Sequence, residues 1–247
     1  MKGSSYPELR GQLWLLRNIN PFLEWSSKTL MPAAGLYGRE LIFQGIVHRA
    51  LDRLGINVPL YPVRGAASYS YLYLLIRIVE ELPVNRILEL GCGQSSVLLD
   101  RLSAIKSVDC ATLEDELEWL RQIDQRVENL QLIHSPLVKK TVHGHITTTY
   151  DTAPIVEQKK FDVLLVDGPK GQRRRSRLGA LELIETCLGD DFVIVFDDAE
   201  RRGEQQTIAQ ALQLLDTLGR SYETLHVRSV SSQFVIAGGV LSAAQFF

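Results

Sequence analysis

The sequence has few cysteines and no long apolar run. Its three cysteines are Cys92, Cys110 and Cys187, and they show neither CxxC spacing nor Cys/His pairing. This excludes a disulfide framework and a structural zinc site. No stretch of about 20 apolar residues occurs, and the first residues lack the apolar core of a secretory signal. We therefore expect a cytoplasmic protein without a membrane span.

The sequence also lacks an excess of charge of one sign. It contains 27 basic and 29 acidic residues, so the net charge is −2. Such a charge creates no overall field for binding nucleic acid or an anionic membrane. With 45% hydrophobic and 23% charged residues, the composition is that of a globular protein and excludes disorder. We expect no nucleic-acid partner, and the composition leaves a homo-oligomer open.

The chain divides into two parts by charge and by pattern. Residues 1–82 carry nine basic and six acidic side chains, whereas residues 83–247 carry 18 and 23. Helices are predicted at 8–18, 39–54 and 69–81, separated by loops with proline and glycine. We therefore divide the chain into a helical extension or lid, residues 1–68, and a second domain, residues 69–247.

Beyond Pro83, short apolar runs alternate with helical patterns. Strands are predicted at 86–90, 108–113, 130–133, 161–166, 192–196, 222–228 and 233–237. Helices are predicted at about 95–102, 116–127, 178–189 and 204–218. Parallel neighbouring strands need covering crossovers. The pattern thus predicts an α/β fold with a doubly wound, mostly parallel, Rossmann-like seven-stranded sheet. Ligands of such sheets bind at the carboxyl ends of the strands.

Two strand ends carry residues suited to a nucleoside ligand. After the first strand, Gly91 and Gly93 allow a tight turn and a close approach of the backbone to a ligand. The following helix offers free N–H groups. After the second strand, the Glu114 carboxylate is placed to accept the hydroxyl hydrogens of a ribose. The alternatives are a βα turn without a ligand and an acidic helix start.

These residues resemble the class I S-adenosylmethionine-dependent methyltransferases over residues 69–247. The family motif, acid-x-Gly-x-Gly, matches Glu89 to Gly93, an acid ends the second strand, and Asp167 follows the fourth. The resemblance implies S-adenosylmethionine as cofactor. Its methionine part would lie beside the glycines and its ribose beside Glu114. We assign to this cofactor site Glu89, Gly91, Cys92, Gly93, Ser95, Glu114, Asp115 and Asp167.

Three aspartates follow the fourth and fifth strands, namely Asp167, Asp197 and Asp198. Oxygen-only ligands suit Mg²⁺. The arrangement resembles the metal-dependent O-methyltransferases of the catechol and macrolide-sugar types. That resemblance implies Mg²⁺ on the three aspartates and a general base at Lys170, so Lys170 and Asp167 are the predicted catalytic residues. The alternative is that Asp198 caps the next helix and Asp197 contacts solvent or cofactor.

Two further segments carry candidate acceptor-binding or basic residues. Five positive charges lie between Lys170 and Arg177, at what the pattern predicts as the start of a helix. Because this is the positive end of the helix dipole, the charges suggest an anionic group on the acceptor. His143 and His145 are predicted to lie in a flexible substrate loop, where either is an alternative base.

We therefore predict a methyltransferase that acts on a hydroxyl of a small molecule, sugar or glycan, with or without Mg²⁺. Three alternatives stay open: a metal-independent glycan methyltransferase, an NAD-dependent oxidoreductase and a non-catalytic cofactor-binding partner protein. Ser96 stands where a dinucleotide motif has glycine, which disfavours NAD. Lys170 and the paired aspartates favour an enzyme.

Overall fold

The computed structural model describes residues 31–60, 67–156 and 160–247. The helix predicted at 8–18 lies outside the described residues. The first two described helices are α1 (Met31–Leu54) and α2 (Tyr69–Glu81). Ser68 caps α2, since its side chain accepts a hydrogen bond from the Tyr71 amide. None of the described helices combines the length and apolar character needed to cross a bilayer.

The rest of the described chain alternates strands and helices. The strands are β1 (Arg86–Leu90), β2 (Asp109–Glu114), β3 (Gln131–His134), β4 (Leu137–Val142), β5 (His145–Tyr150), β6 (Phe161–Val166), β7 (Leu188–Phe196), β8 (Glu223–Arg228) and β9 (Ser232–Gly238). The helices are α3 (Gln94–Lys106), α4 (Leu117–Asp124), α5 (Ala153–Val156), α6 (Ala180–Thr186) and α7 (Arg202–Thr217), followed by a 3₁₀ helix (Gly239–Phe246).

Seven strands form one sheet in the order β3-β2-β1-β6-β7-β9-β8. Neighbouring strands among β3, β2, β1, β6 and β7 pair in parallel. Strand β9 pairs antiparallel with both β7 and β8. Apolar side chains alternate between two cores, so that Ile87 packs on one face and Leu88 on the other. Helices α2 and α3 cover the first face, and α6 and α7 cover the second. The predicted fold class is confirmed.

Two predicted segments differ in the structure. The segment predicted as a flexible loop is the end of a hairpin in which β4 pairs with β5, with His143 and Gly144 at φ values of 46° and 77° in the turn. The helix predicted at 178–189 ends earlier, because Leu188 pairs with Phe161 and begins β7. Both predictions were wrong where strand pairing competed with local sequence preference.

Candidate functional site

A cavity of about 790 Å³ lies at the carboxyl ends of the central parallel strands. Gly91, Glu114, Asp167 and Asp197, which stand at or just after the ends of β1, β2, β6 and β7, all line it. Helix α1 contributes further lining residues, among them Tyr37. The topology thus gathers the predicted strand-end residues around one cavity, where ligands of open α/β sheets bind.

The turn after β1 packs closely against the loop after β6. Gly91 has a φ of 90°, and a Cβ added there would lie 3.0 Å from the Gly168 Cα. A Cβ added at Gly168 would lie 2.7 Å from the Gly91 Cα and would also meet the Tyr150 hydroxyl. Both positions therefore require glycine, one for its backbone conformation and both for the lack of space.

Glu114 connects the end of β2 to this turn. It is 8% exposed, and its Oε2 accepts a hydrogen bond from the Cys92 amide at 3.0 Å. Its Oε1 accepts from the amides of Asp115 and Glu116, each at 3.0 Å. The carboxylate is held rigidly by backbone donors and still lines the cavity. Cys92 and Asp115 line the cavity as well.

Glu89 and Ser95 lie beneath the turn. The Glu89 side chain is fully buried, and its Oε2 accepts hydrogen bonds from the hydroxyls of Ser96 and Thr112. Burial raises the pKa of the Glu89 carboxyl above its ordinary value. The Gly93 amide donates to Ser96 Oγ at 2.9 Å. Neither Glu89 nor Ser95 lines the cavity, so their direct contact with a cofactor stays a prediction, and their contacts in the structure support the turn.

The three predicted metal-ligating aspartates lie together. Ligand oxygens of Asp167, Asp197 and Asp198 all lie within 4.8 Å of one another. The buried guanidinium of Arg177 lies among them, with Nη2 at 3.1 Å from Asp167 Oδ1 and at 3.0 Å from Asp198 Oδ2. Its Nη1 lies 3.6 Å from Glu204 Oε1. The cluster therefore already contains a cation.

The remaining contacts hold the aspartates individually. Asp197 Oδ1 accepts hydrogen bonds from Ser231 Oγ at 3.1 Å and Gln233 Nε2 at 2.8 Å. Asp198, whose φ is 58°, binds Arg201 Nη1 through Oδ2 at 2.6 Å. Arg201 precedes α7, and no side chain caps that helix. The alternative that Asp198 is a helix cap is therefore wrong, because its carboxylate binds arginines instead.

The donor chemistry of the cluster fits an internal ion pair better than a divalent cation. Oδ1 of Asp167 and Oδ2 of Asp198 face the Arg177 guanidinium, and Asp197 Oδ1 accepts from two side-chain donors. A dication bound by these carboxylates would lie a few ångströms from a fixed positive charge, which opposes binding. The residues predicted to bind Mg²⁺ thus come together, but around a buried arginine that already forms ion pairs with two of them.

Burial dominates the electrostatics of the cluster. It raises the pKa of Asp167 and of Asp197, neighbouring carboxylates add to the effect, and Arg177 opposes it. Burial lowers the pKa of Arg177, but the surrounding carboxylates outweigh this, and the net shift is upward. The fully buried Tyr71 phenol has its pKa raised by burial and by the nearby acids. Tyr71 therefore stays protonated at neutral pH.

The positive run after β6 is not the start of a helix. Helix α6 begins only at Ala180, and the run makes turns before it. Lys170 is exposed and lines the cavity, as predicted for a residue near the acceptor. Arg177 points inward to the carboxylates, and Arg173 and Arg174 are exposed away from the cavity lining. The run therefore gives no support for an anionic acceptor, since its one buried member is neutralised by protein carboxylates.

Neither candidate histidine reaches this cavity. His143 and His145 line a different cavity of about 420 Å³ beside α6 and α7, where His143 Nε2 lies 3.5 Å from Glu185 Oε2. No histidine of the described ranges lines the cavity that contains Asp167. The alternative of a histidine base is therefore not supported by the geometry.

Comparison with solved structures identifies similar folds. An S-adenosylhomocysteine-bound methyltransferase of Podospora anserina, PaMTH1, has 13% sequence identity and a TM-score of 0.50, covering 78% of this chain and 87% of that chain. A methyltransferase from Pyrococcus furiosus has 11% identity and a TM-score of 0.50, covering 81% and 96%. The chain shares the Rossmann-like α/β fold of these two methyltransferases. No protein-family profile and no curated protein matches the sequence.

Some site residues were not predicted from the sequence. The sequence pattern gives Arg177 only as one of five positive charges at a predicted helix start, and Glu204 only as the first residue of a predicted helix. Glu204 carried a signal, since it shares the buried face of α7 with Ile208 and Ala211, and a buried acid requires a partner. The cavity residues of α1, Tyr37, Glu40 and Gln44, carried none.

Proposed function

We propose that this protein transfers a methyl group from S-adenosylmethionine to a hydroxyl group of a small molecule, sugar or glycan. One observation carries the proposal. The predicted ribose ligand Glu114, Gly91 of the glycine turn and the predicted catalytic residues Asp167 and Lys170 all line one cavity, whereas Gly93 does not line it. A ribose at Glu114 and a methionine part at Gly91 place the methyl donor toward the β6 and β7 ends, where the acidic residues lie.

The acceptor side is formed in part by the N-terminal region. Tyr37 is 66% exposed and lines the cavity from α1 together with Glu40 and Gln44. Glu40 Oε1 accepts a hydrogen bond from the Tyr69 amide at 2.6 Å, which fixes α1 against the start of α2. We therefore propose that residues 1–68 form the cover of the acceptor site and that residues 69–247 hold the cofactor.

The chemistry of a hydroxyl acceptor requires a proton acceptor. A sugar hydroxyl is too weakly acidic to attack a methyl group readily at neutral pH, so a base that removes its proton accelerates the transfer. We propose Lys170 for this role, with the Asp167 carboxylate orienting the hydroxyl. Eight of the residues lining the cavity are acidic and three are basic. This balance favours a neutral or cationic acceptor over an anionic one.

The metal-independent form of the reaction is the better supported of the two. Arg177 already forms ion pairs with two of the three carboxylates that a Mg²⁺ ion would bind, Asp167 and Asp198. The Mg²⁺-assisted form remains as the second candidate, because ligand atoms of the three aspartates lie within 4.8 Å. Measured turnover with and without exhaustive chelation separates the two forms.

Titration calorimetry with S-adenosylhomocysteine and with NAD tests the cofactor. We expect saturable binding of S-adenosylhomocysteine and none of NAD. The reverse result would show an oxidoreductase and refute the proposal. Incubation with methyl-labelled S-adenosylmethionine and a panel of glycosyl, phenolic and amine acceptors, followed by mass spectrometry, then separates an enzyme from a non-catalytic binding protein.

A further inference from the structure

The guanidinium of Arg177 makes contacts on every side with the carboxylate cluster. It is 5% exposed, and besides its ion pairs with Asp167, Asp198 and Glu204 it donates to the Asp197 carbonyl at 3.1 Å. Its Nε donates to the Pro169 carbonyl at 3.4 Å. The side chain is therefore fixed by loops from β6 and β7 and by α7.

Glu204 adds an observation independent of the aspartates. It is 1% exposed on the inner face of α7, and its Oε1 faces Arg177 at 3.6 Å. Burying a carboxylate is unfavourable unless a cation is close. Glu204 and Arg177 are thus the most deeply buried members of the cluster. The second arginine that pairs with Asp198, Arg201, has a side chain that is 55% exposed.

We propose that Arg177 occupies the place of a metal ion in this cavity. Its guanidinium forms ion pairs with Asp167, Asp198 and Glu204, positions the Asp167 carboxylate at the acceptor side, and by its positive charge opposes the binding of divalent cations to the cluster. Arg177 is a positioning residue, since it acts through Asp167. The inference rests on the proposed function only where it makes the methyl transfer independent of metal.

The proposal predicts that the three aspartates gain affinity for a divalent cation when the Arg177 guanidinium is removed. Three carboxylates with ligand oxygens within 4.8 Å are suitable ligands for a hard dication once no positive charge lies between them. The quantity to measure is therefore Mn²⁺ affinity and not stability, because the loss of any buried ion pair lowers the free energy of unfolding.

A titration of the full chain with Mn²⁺ tests the proposal, with the electron paramagnetic resonance signal of free Mn²⁺ as the measure of the unbound ion. We expect no detectable Mn²⁺ binding to wild type. Arg177→Met should bind Mn²⁺ with a Kd at least about tenfold below the highest concentration at which wild type shows none. Arg177→Lys keeps the positive charge and should again exclude Mn²⁺. Arg174→Met, which removes an exposed arginine from the same loop, is the matched control and should behave as wild type.

A double variant locates the ion. Adding Asp198→Asn to Arg177→Met should remove the new Mn²⁺ binding. Binding of Mn²⁺ by wild type that Asp198→Asn abolishes would overturn the proposal, and so would a folded Arg177→Met chain without Mn²⁺ affinity. If Arg177→Met does not fold, the wild-type titration decides alone. Binding of S-adenosylhomocysteine is measured separately, so a failure of the proposed function is distinguishable from a failure of this inference.

Discussion

Replacement of Glu114 should weaken both cofactor binding and the fold, and the two losses can be measured separately. The Glu114 carboxylate accepts three backbone hydrogen bonds and lines the cavity, where we propose that it also accepts the ribose hydroxyls. Glu114→Ala removes a charged hydrogen-bond partner from the ligand. Such a loss costs about 1–3 kcal/mol, so the Kd for S-adenosylhomocysteine should rise roughly 5-fold to 150-fold.

The same variant also lowers stability, by an amount that can be measured separately from binding. The amides of Cys92, Asp115 and Glu116 are all partly buried and all lose their acceptor. An amide that water does not reach after the substitution costs about 1–3 kcal/mol of unfolding free energy. Urea unfolding measures this cost, and calorimetry of the folded variant measures binding.

Two further variants serve as controls for the effect of Glu114→Ala on cofactor affinity. Glu114→Gln keeps an oxygen able to accept from Asp115 and Glu116 but loses the charge, so its affinity should lie between wild type and Glu114→Ala. Glu118→Gln neutralises an exposed acid of the same segment and should bind as wild type does. Unchanged affinity in a folded Glu114→Ala chain would refute the assignment of the ribose to this residue.

Three more outcomes are expected. Lys170→Met should lower the rate of methyl transfer about 10²–10⁴-fold with the Kd for S-adenosylhomocysteine nearly unchanged; a retained rate would remove Lys170 as base. Tyr37→Ala should raise the acceptor KM without affecting the cofactor Kd, and a matching loss of cofactor affinity would place α1 at the cofactor. Asp100→Ala should lower the unfolding free energy by about 2 kcal/mol in a urea titration, because the Asp100 carboxylate accepts three amide hydrogen bonds from residues 128–130; wild-type stability would contradict this.

The sheet was predictable because its central strands are covered on both faces. A strand such as Phe161–Val166 must be apolar almost throughout, and this distinguishes it from the amphipathic helices. The β4–β5 hairpin lacked that signal. Much of it faces solvent, its first strand reads Leu-Val-Lys-Lys-Thr-Val, and its turn conformation at His143 is unfavourable for most residues.

The strand-end part of the site was predictable for a topological reason. Parallel strands end at one edge of the sheet, so Gly91, Glu114 and Asp167 had to lie near one another. The position of Arg177 was not predictable in the same way. Arg175 and Arg177 adopt left-handed φ values of 46° and 57°, and the loop between β6 and α6 therefore follows a path that local preference does not indicate. Which cation points inward is decided by that path.

The contact between Gly91 and Gly168 makes the residue that fits at one position depend on the residue at the other. Each position excludes a side chain because of the backbone of the other, so a substitution at one is tolerated only if the opposing loop moves away. Free energies of substitutions at the two positions should therefore not add. The close approach of the loops after β1 and β6 therefore depends on two positions that must lack a side chain together.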